Sequence, residues 1–149
     1  MKSVDTIGSV LSSKARQLWS VAPTATVYEA IEKMSEKGVG ALLVMSEGKL
    51  AGIISERDYA RKVILKDRSS KQTLVREIMT SSVVTVTPSD YVEECMRTMT
   101  ENRIRHLPVV DRDQVVGIVS IGDLVKWIIT AHEETIDHLQ SYIEGNYPG

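Results

Sequence analysis

Residues 52–58 read Gly-Ile-Ile-Ser-Glu-Arg-Asp, and residues 117–123 read Gly-Ile-Val-Ser-Ile-Gly-Asp. In both stretches a short apolar run ends at a serine, and an aspartate follows three residues later. A short run of Ile and Val suits a buried strand, and Ser with an acid three positions on is typical of a helix N-terminus. Each stretch therefore predicts a junction between a strand and a helix.

The two stretches belong to a longer internal repeat. Aligning Pro23 with Pro88, an offset of 65 residues, superimposes the two halves without a gap for more than forty positions. Identical pairs include Val27 with Val92, Met34 with Met99 and Asp58 with Asp123. Apolar character also agrees between the identities, as expected when one structural unit is present twice.

Each repeat predicts the order strand, helix, strand, strand, helix, and therefore an α/β fold. The first helix follows a capping pattern, Thr26 with Glu29 in repeat one and Asp90 with Glu93 in repeat two. The next two strands are predicted at 41–45 and 49–54, and at 106–110 and 115–119. The closing amphipathic helices are predicted at 56–65 and 121–129.

Neither repeat is long enough to bury a sufficient core alone, so we predict that the two pack as a pseudo-twofold pair. We place the first domain at 7–65, an exposed connector at 66–74, the second domain at 75–130, and a C-terminal helix and tail at 131–149. A matched fragment leads into each repeat, because Ile7 and Val10 correspond to Val75 and Ile78.

Composition limits the classes of function. The 149 residues carry 18 Lys and Arg against 20 Asp and Glu, so the net charge of −2 gives no broad basic field for nucleic acid. The single cysteine, Cys95, excludes an internal disulfide and a multi-cysteine zinc site. No apolar run suits a membrane span, and no secretory signal, nucleotide fingerprint or nucleophile–base pattern stands out. We expect a cytoplasmic, non-catalytic protein without a bound metal.

Five motifs, each weak alone, occur in register across the two repeats. They are Val-Arg-Glu-Ile-Met-Thr (75–80), Val-Thr-Pro (86–88), Arg-His-Leu-Pro-Val-Val-Asp (105–111) and the two Gly-to-Asp stretches quoted above. With these motifs the chain resembles a tandem pair of CBS (cystathionine-β-synthase) domains, often called a Bateman module, over residues 7–129. The resemblance implies a regulatory module that senses an adenosine-containing ligand, AMP first, or else ADP, ATP, S-adenosylmethionine or NAD(H). It would signal to an unidentified partner protein; a structural adaptor without a ligand is the alternative.

The resemblance also implies which residues bind the ligand. The predicted set at the two strand–helix junctions is Ile53, Ser55 and Asp58 in repeat one, and Ile118, Ser120 and Asp123 in repeat two. The aspartates would accept hydrogen bonds from the ribose hydroxyls, and the isoleucines would flank the adenine. The serines lie at helix N-termini, which favour phosphate. Without a ligand, the Ser and Asp pairs are explained as helix caps alone.

The resemblance further implies that Arg105 and His106 reach the phosphate of the nucleotide bound at Asp58, with help from Arg57, since an arginine fork suits phosphate oxygens. In repeat one, Arg105 and His106 correspond to Gly40 and Ala41, which carry no charge. The cleft at Asp123 would therefore hold its ligand differently, hold another ligand or stay empty, unless Lys14 or Arg16 supplies the charge. Val39 and Val84 complete the predicted set.

Apolar residues continue at helical spacing beyond Trp127, which predicts a C-terminal helix over 133–144 that stops at Gly145. The resemblance implies a homodimer formed through the helices of the repeats. The C-terminal helix either contributes to that dimer or packs on its own chain, because an exposed amphipathic helix must cover its apolar side.

Overall fold

The structure, a computed structural model, describes residues 5–14 and 18–131. Helix α1 (Ile7–Ser13) precedes β1 (Ser20–Val21), α2 (Val27–Lys37), β2 (Ala41–Ser46) and β3 (Lys49–Ser55). Helix α3 (Glu56–Tyr59) continues into a π-helical turn (Ala60–Ile64), and α4 (Val75–Ile78) follows. Repeat two contributes α5 (Val92–Asn102), β4 (His106–Asp111), β5 (Gln114–Ser120) and α6, a helix over residues 121–131. The predicted α/β class is confirmed.

Each repeat is built on an antiparallel strand pair with the same irregularity. β2 pairs with β3 and β4 with β5, and the register shifts at Val44 in the first pair and at Val109 in the second. Because these two positions differ by the repeat offset, the shift belongs to the repeated unit. β1 adds parallel to β2, whereas its counterpart in repeat two is a single bridge between Val86 and Val109. The predicted order is complete in repeat one and lacks a full first strand in repeat two.

The start of α5 corrects one local prediction. The helix begins at Val92 with Tyr91 as its N-cap, so Asp90 does not cap it. The Asp90 carboxylate instead accepts a hydrogen bond from the Thr87 N–H at 2.8 Å. In repeat one the predicted cap is present, because the Thr26 hydroxyl accepts from the Glu29 N–H at 3.1 Å.

The helix predicted at 56–65 is not regular throughout. Leu65 N–H donates to the carbonyl of Ala60, five residues back, at 3.1 Å, which is the pattern of a π-helical turn. Val63 is buried in this turn, while Arg61 and Lys62 remain beside the end of β3. The π-helical turn therefore places two basic residues next to the strand–helix junction.

The lead-in helices are exchanged between the repeats. Ile7 of α1 is buried with the residues of repeat two, and Val75 of α4 with those of repeat one. Equivalent backbone bonds fix both helices: Ile7 N–H donates to Asp90 O, and Val75 N–H to Ala25 O, each at 2.8 Å. We call repeat one with α4 "core one" and repeat two with α1 "core two". Each core contains a helix that precedes the other repeat in the chain.

The repeats touch through β3 and β5. On β3, Ile53 exchanges two backbone hydrogen bonds with Thr80, just after α4, at 3.0 and 2.9 Å. A Cβ on the neighbouring Gly52 would lie 2.7 Å from the Thr80 carbonyl oxygen and 2.8 Å from Met79 Sδ. Glycine is therefore required for the segment after α4 to approach β3 this closely.

Arg16 and the C-terminal helix predicted at 133–144 lie outside the described residues. Within the described part of the chain, no helix is long and apolar enough to cross a membrane. Over the same residues, no cluster of His, Cys, Asp and Glu side chains could hold a metal ion. Burial raises the pKa of the Cys95 thiol to about 11, so this buried residue is a core side chain rather than a reactive one.

Candidate functional site

The two strand–helix junctions have nearly identical geometry. Ser55 N–H donates to Asp58 Oδ2 at 2.9 Å, and Asp58 N–H donates to Ser55 Oγ at 3.2 Å. In repeat two, Ser120 N–H donates to Asp123 Oδ2 at 2.9 Å, and Asp123 N–H donates back to Ser120 Oγ at 3.1 Å. The serines and aspartates therefore cap helices, and each pair also lines a cleft between the repeats.

The first cleft, cleft one, joins the end of β3 to the start of β4 and has a volume of about 450 Å³. It contains every residue predicted for the nucleotide at Asp58: Ile53, Ser55, Arg57, Asp58, Val84, Arg105 and His106. It also contains Gly40, which was predicted for the other cleft, and residues that the sequence analysis did not assign to a site: Glu56, Arg61, Lys62, Thr80, Ser82, Val83, Arg103 and Ile104. The fold thus brings the carboxylate of one repeat to the Arg-His pair of the other.

Cleft one is strongly basic. Five lysine and arginine side chains line it, against two carboxylates. Lys62 Nζ lies 3.1 Å from Asp58 Oδ1 and donates to the Ile78 carbonyl at 2.8 Å. Arg61 and Lys62 follow Asp58 by three and four residues, a spacing that brings side chains to one helical face and could have predicted them.

Arg103 occupies a backbone position that favours glycine. It ends α5 in the left-handed conformation with φ 55°, where its counterpart Gly38 ends α2 with φ 65°. A side chain in this conformation costs about 1 kcal/mol or more. The Arg103 carbonyl accepts a hydrogen bond from Arg57 Nη1 at 3.3 Å, which ties the two repeats together across cleft one.

The second cleft, cleft two, has a volume of about 350 Å³ and joins the end of β5 to the start of β2. It contains the other predicted residues: Lys14, Val39, Gly40, Ala41, Ile118, Ser120 and Asp123. Trp19, Lys37, Gly38 and His106 also line it and were not predicted there. Trp19 aligns with Val84, so the repeat itself could have indicated it, whereas no sequence pattern points to Lys37.

Lys14 forms an ion pair with Asp123, the carboxylate of cleft two. Its Nζ donates to Asp123 Oδ2 at 2.7 Å and to the Ile118 carbonyl at 3.1 Å. Burial acts to raise the pKa of Asp123, but the hydrogen bonds from Lys14 and Ser120 outweigh it and hold the pKa below its usual value. Asp123 is therefore ionised and neutralised by Lys14.

His106 lies where the two clefts meet. It lines both of them, as does Gly40, and a Cβ on Gly40 would lie 3.6 Å from the imidazole. Burial lowers the pKa of His106; Asp123 acts to raise it, and Lys14 and Arg105 lower it further. Charged groups of both clefts therefore act on the imidazole.

Comparison with known proteins identifies the architecture. The profile of the CBS domain family matches residues 8–65 and 75–130. The chain is 45% identical over 152 residues to the mitochondrial CBS domain-containing protein CBSX3 of Arabidopsis thaliana, covering 95% of this chain and 73% of that protein. A solved protein with CBS domains from Burkholderia ambifaria is 52% identical, with a TM-score of 0.82 over 84% of this chain and 94% of that one.

A further solved structure is the CBS domain pair of protein MJ0100 in complex with 5′-methylthioadenosine and S-adenosyl-L-methionine. It is 25% identical to this chain, with a TM-score of 0.75 over 85% of this chain and 97% of that one.

Proposed function

This chain belongs to the CBS domain family, whose domain pairs are regulatory modules, and on that premise we propose that it binds AMP in cleft one and signals this to a partner protein. The observation that carries the proposal is the meeting of Asp58 with Arg105 and His106 in one cleft, although these residues come from different repeats. A carboxylate beside a basic group matches a ligand that has both a ribose diol and a phosphate.

The residues of cleft one have complementary tasks in this proposal. Ile53 and Val84 supply apolar contact for the adenine, and the Asp58 carboxylate accepts the ribose hydroxyls. Arg57, Arg105 and His106 hold the phosphate, since charge-assisted hydrogen bonds to phosphate are stronger than neutral ones. In this proposal each of these residues has a binding role and none a catalytic one, so we propose a sensor and not an enzyme.

ADP, ATP and NAD(H) are the competing ligands for the same cleft. Lys62, one of the five cations of cleft one, is paired with Asp58, and the other four define how much phosphate charge the cleft can hold, so the ligands with a longer phosphate chain are tested beside AMP. The MJ0100 pair, in complex with 5′-methylthioadenosine and S-adenosyl-L-methionine, adds two adenosine compounds without a phosphate to the set to be tested. A ligand switches a module of this kind by binding one of two states more tightly, by about 1–3 kcal/mol.

Calorimetric titration with AMP, ADP, ATP, NAD(H), S-adenosylmethionine and 5′-methylthioadenosine tests the proposal. We expect AMP to bind most tightly, and Asp58→Asn and Arg105→Ala each to weaken AMP by about 1.5–3 kcal/mol, because each removes a charge-assisted contact. Arg112→Ala, in the exposed turn between β4 and β5, is the matched control and should leave binding unchanged.

Two results would contradict the proposal. A protein that responds to none of these compounds is a structural adaptor. If Arg105→Ala is coupled energetically to Asp123→Asn rather than to Asp58→Asn in a double-mutant cycle, the ligand does not lie in cleft one as proposed.

We also propose that the module is a homodimer formed through its helices. Tyr28 of α2 and Val125 and Ile129 of α6 are 44%, 41% and 51% exposed, so both helices present apolar side chains to solvent. Light scattering of the full chain, and of a chain that ends at Ile129, tests this. A dimer that survives truncation places the interface on the repeats, and a monomeric full chain excludes the dimer.

A further inference from the structure

His106 brings one imidazole into contact with both clefts. It lines cleft one together with Arg105, and cleft two together with Lys14 and Asp123. Its backbone pairs with Ser120 across β4 and β5, and Ser120 forms the reciprocal cap with Asp123. The strand pair therefore fixes the imidazole beside the junction of cleft two, although the same ring lines the cleft proposed for AMP.

Within the described residues, no hydrogen bond fixes the charge of this imidazole. Asp123 favours the imidazolium through its charge, whereas burial, Lys14 and Arg105 disfavour it. The Glu56 carboxylate also lies near the ring, because a Cβ on Gly40 would touch Glu56 Oε1 at 3.5 Å and the imidazole at 3.6 Å. The further charged side chains that line the two clefts are Lys37, Arg57, Asp58, Arg61, Lys62 and Arg103.

The ion pair of cleft two holds two opposite charges at fixed places beside His106. Lys14 Nζ lies 2.7 Å from Asp123 Oδ2 and also donates to the Ile118 carbonyl at 3.1 Å. The two side chains are 34% and 28% exposed, so solvent screens their charges only in part. Their effects on the imidazole oppose each other while both are present, and removing either one leaves the other uncompensated.

A phosphate bound in cleft one adds a strong negative charge to this environment. A phosphate monoester carries a charge of about −1.5 to −2 at pH 7, and an opposite charge nearby favours the protonated form of a histidine. The imidazolium donates hydrogen bonds from both ring nitrogens, and such charge-assisted bonds to phosphate are stronger than neutral ones. Phosphate binding and proton binding at this imidazole therefore favour each other.

We propose that His106 couples the two clefts: AMP bound in cleft one takes up a proton at His106, and the Lys14–Asp123 ion pair of cleft two sets the pH at which this uptake occurs. The proposal rests on the proposed function for the phosphate in cleft one, and it requires no ligand in cleft two. Lys14 and Asp123 are then positioning residues, which act on AMP through His106. The contribution of His106 to AMP affinity increases as the pH falls, until the free protein is protonated there as well.

Calorimetric titration of the full chain with AMP, in buffers of different ionisation enthalpy, measures the protons taken up on binding. Between about pH 5.5 and about pH 7.5, the wild type should take up at most about half a proton more than His106→Gln. This is the value expected when the phosphate raises the pKa of one group by about one unit. The phosphate of AMP itself titrates at about pH 6 with both proteins, so the difference between them reports His106. Equal proton uptake by the two proteins would overturn the proposal.

Two variants of the ion pair should shift the proton uptake in opposite directions. Asp123→Asn removes the charge that favours the imidazolium, so the pH of maximal uptake should fall by about half a unit. Lys14→Gln removes a charge that opposes the imidazolium, so this pH should rise by a similar amount. Both variants break the same 2.7 Å contact, so a purely structural effect would move the two profiles in the same direction. That outcome, or two unshifted profiles, would overturn the role of the ion pair.

Lys126→Gln is the matched control for the change in net charge. Lys126 is an exposed residue of α6 that is not among the side chains lining either cleft. Its substitution removes one lysine, as Lys14→Gln does, and should leave the pH of maximal uptake where it is in the wild type. A shift as large as that of Lys14→Gln would show that the uptake follows net charge and not the ion pair.

The two proposals fail in different ways. If AMP binding does not respond to Asp58→Asn, the proposed function of cleft one is wrong, and the coupling that rests on it is wrong as well. If AMP binding responds to Asp58→Asn but the wild type and His106→Gln take up the same number of protons, only the coupling is wrong.

Discussion

His106, the first residue of β4, contacts both clefts, and its ionisation therefore depends on groups from each of them. Burial disfavours the imidazolium, and Lys14 and Arg105 oppose it further, while Asp123 alone favours it. The folded protein thus keeps His106 neutral at a pH where the unfolded chain would begin to protonate it. A neutral imidazole can still donate one hydrogen bond to a phosphate.

Stability should consequently fall as the pH is lowered through the usual His pKa of 6.5. The unfolded chain binds more protons than the folded one in this range, so the free energy of unfolding rises with pH. The contribution of His106 is lost on acidification. Denaturant unfolding should show that the free energy of unfolding of the wild type decreases between about pH 7.5 and about pH 5.5. The decrease should be smaller for His106→Gln. The other histidines, His132 and His138, are common to both proteins, so the difference reports His106. Parallel pH profiles would show that burial does not lower the His106 pKa.

At the scale of helices and strands, the sequence pattern predicted the features that depend only on residues close together in the chain. The Ser-to-Asp caps at both junctions form as expected because the Ser and Asp groups lie within one helical turn. The prediction that Asp90 caps α5 was wrong because its carboxylate accepts a hydrogen bond from the Thr87 N–H instead. An aspartate favours a turn as well as a helix cap, so residue preference alone does not distinguish the two.

The exchange of α1 and α4 could not be predicted from the same pattern. Both lead-in fragments present the same apolar spacing, so either would fit either core by hydrophobicity alone. The choice depends on how the chain crosses between repeats, which brings Thr80 to β3. The contact of Lys37 with Trp19 also arises only after α2 and β1 have packed in core one.

At the scale of the whole molecule, the exchange makes the two cores depend on each other. Core one contains Val75 and Ile78, and core two contains Ile7 and Val10; all four are no more than 2% exposed. Burying each such side chain contributes about 1.5–3 kcal/mol, a large part of the stability of a small domain. A core that unfolds exposes the buried apolar side chains of its exchanged helix, which is joined to the other repeat. We therefore expect one cooperative unfolding transition for the described part of the chain.

The two tryptophans allow this to be measured, because Trp19 packs against core one and Trp127 against core two. In urea, the fluorescence of Trp127→Phe reports core one and that of Trp19→Phe reports core two. In each variant the fluorescence midpoint should coincide with that of far-UV circular dichroism. Deleting residues 1–13 removes α1 and is the positive control, since it takes Ile7 and Val10 out of core two only. That deletion should lower the Trp127 midpoint first. Separate transitions in the undeleted variants would mean that the repeats unfold independently despite the exchange.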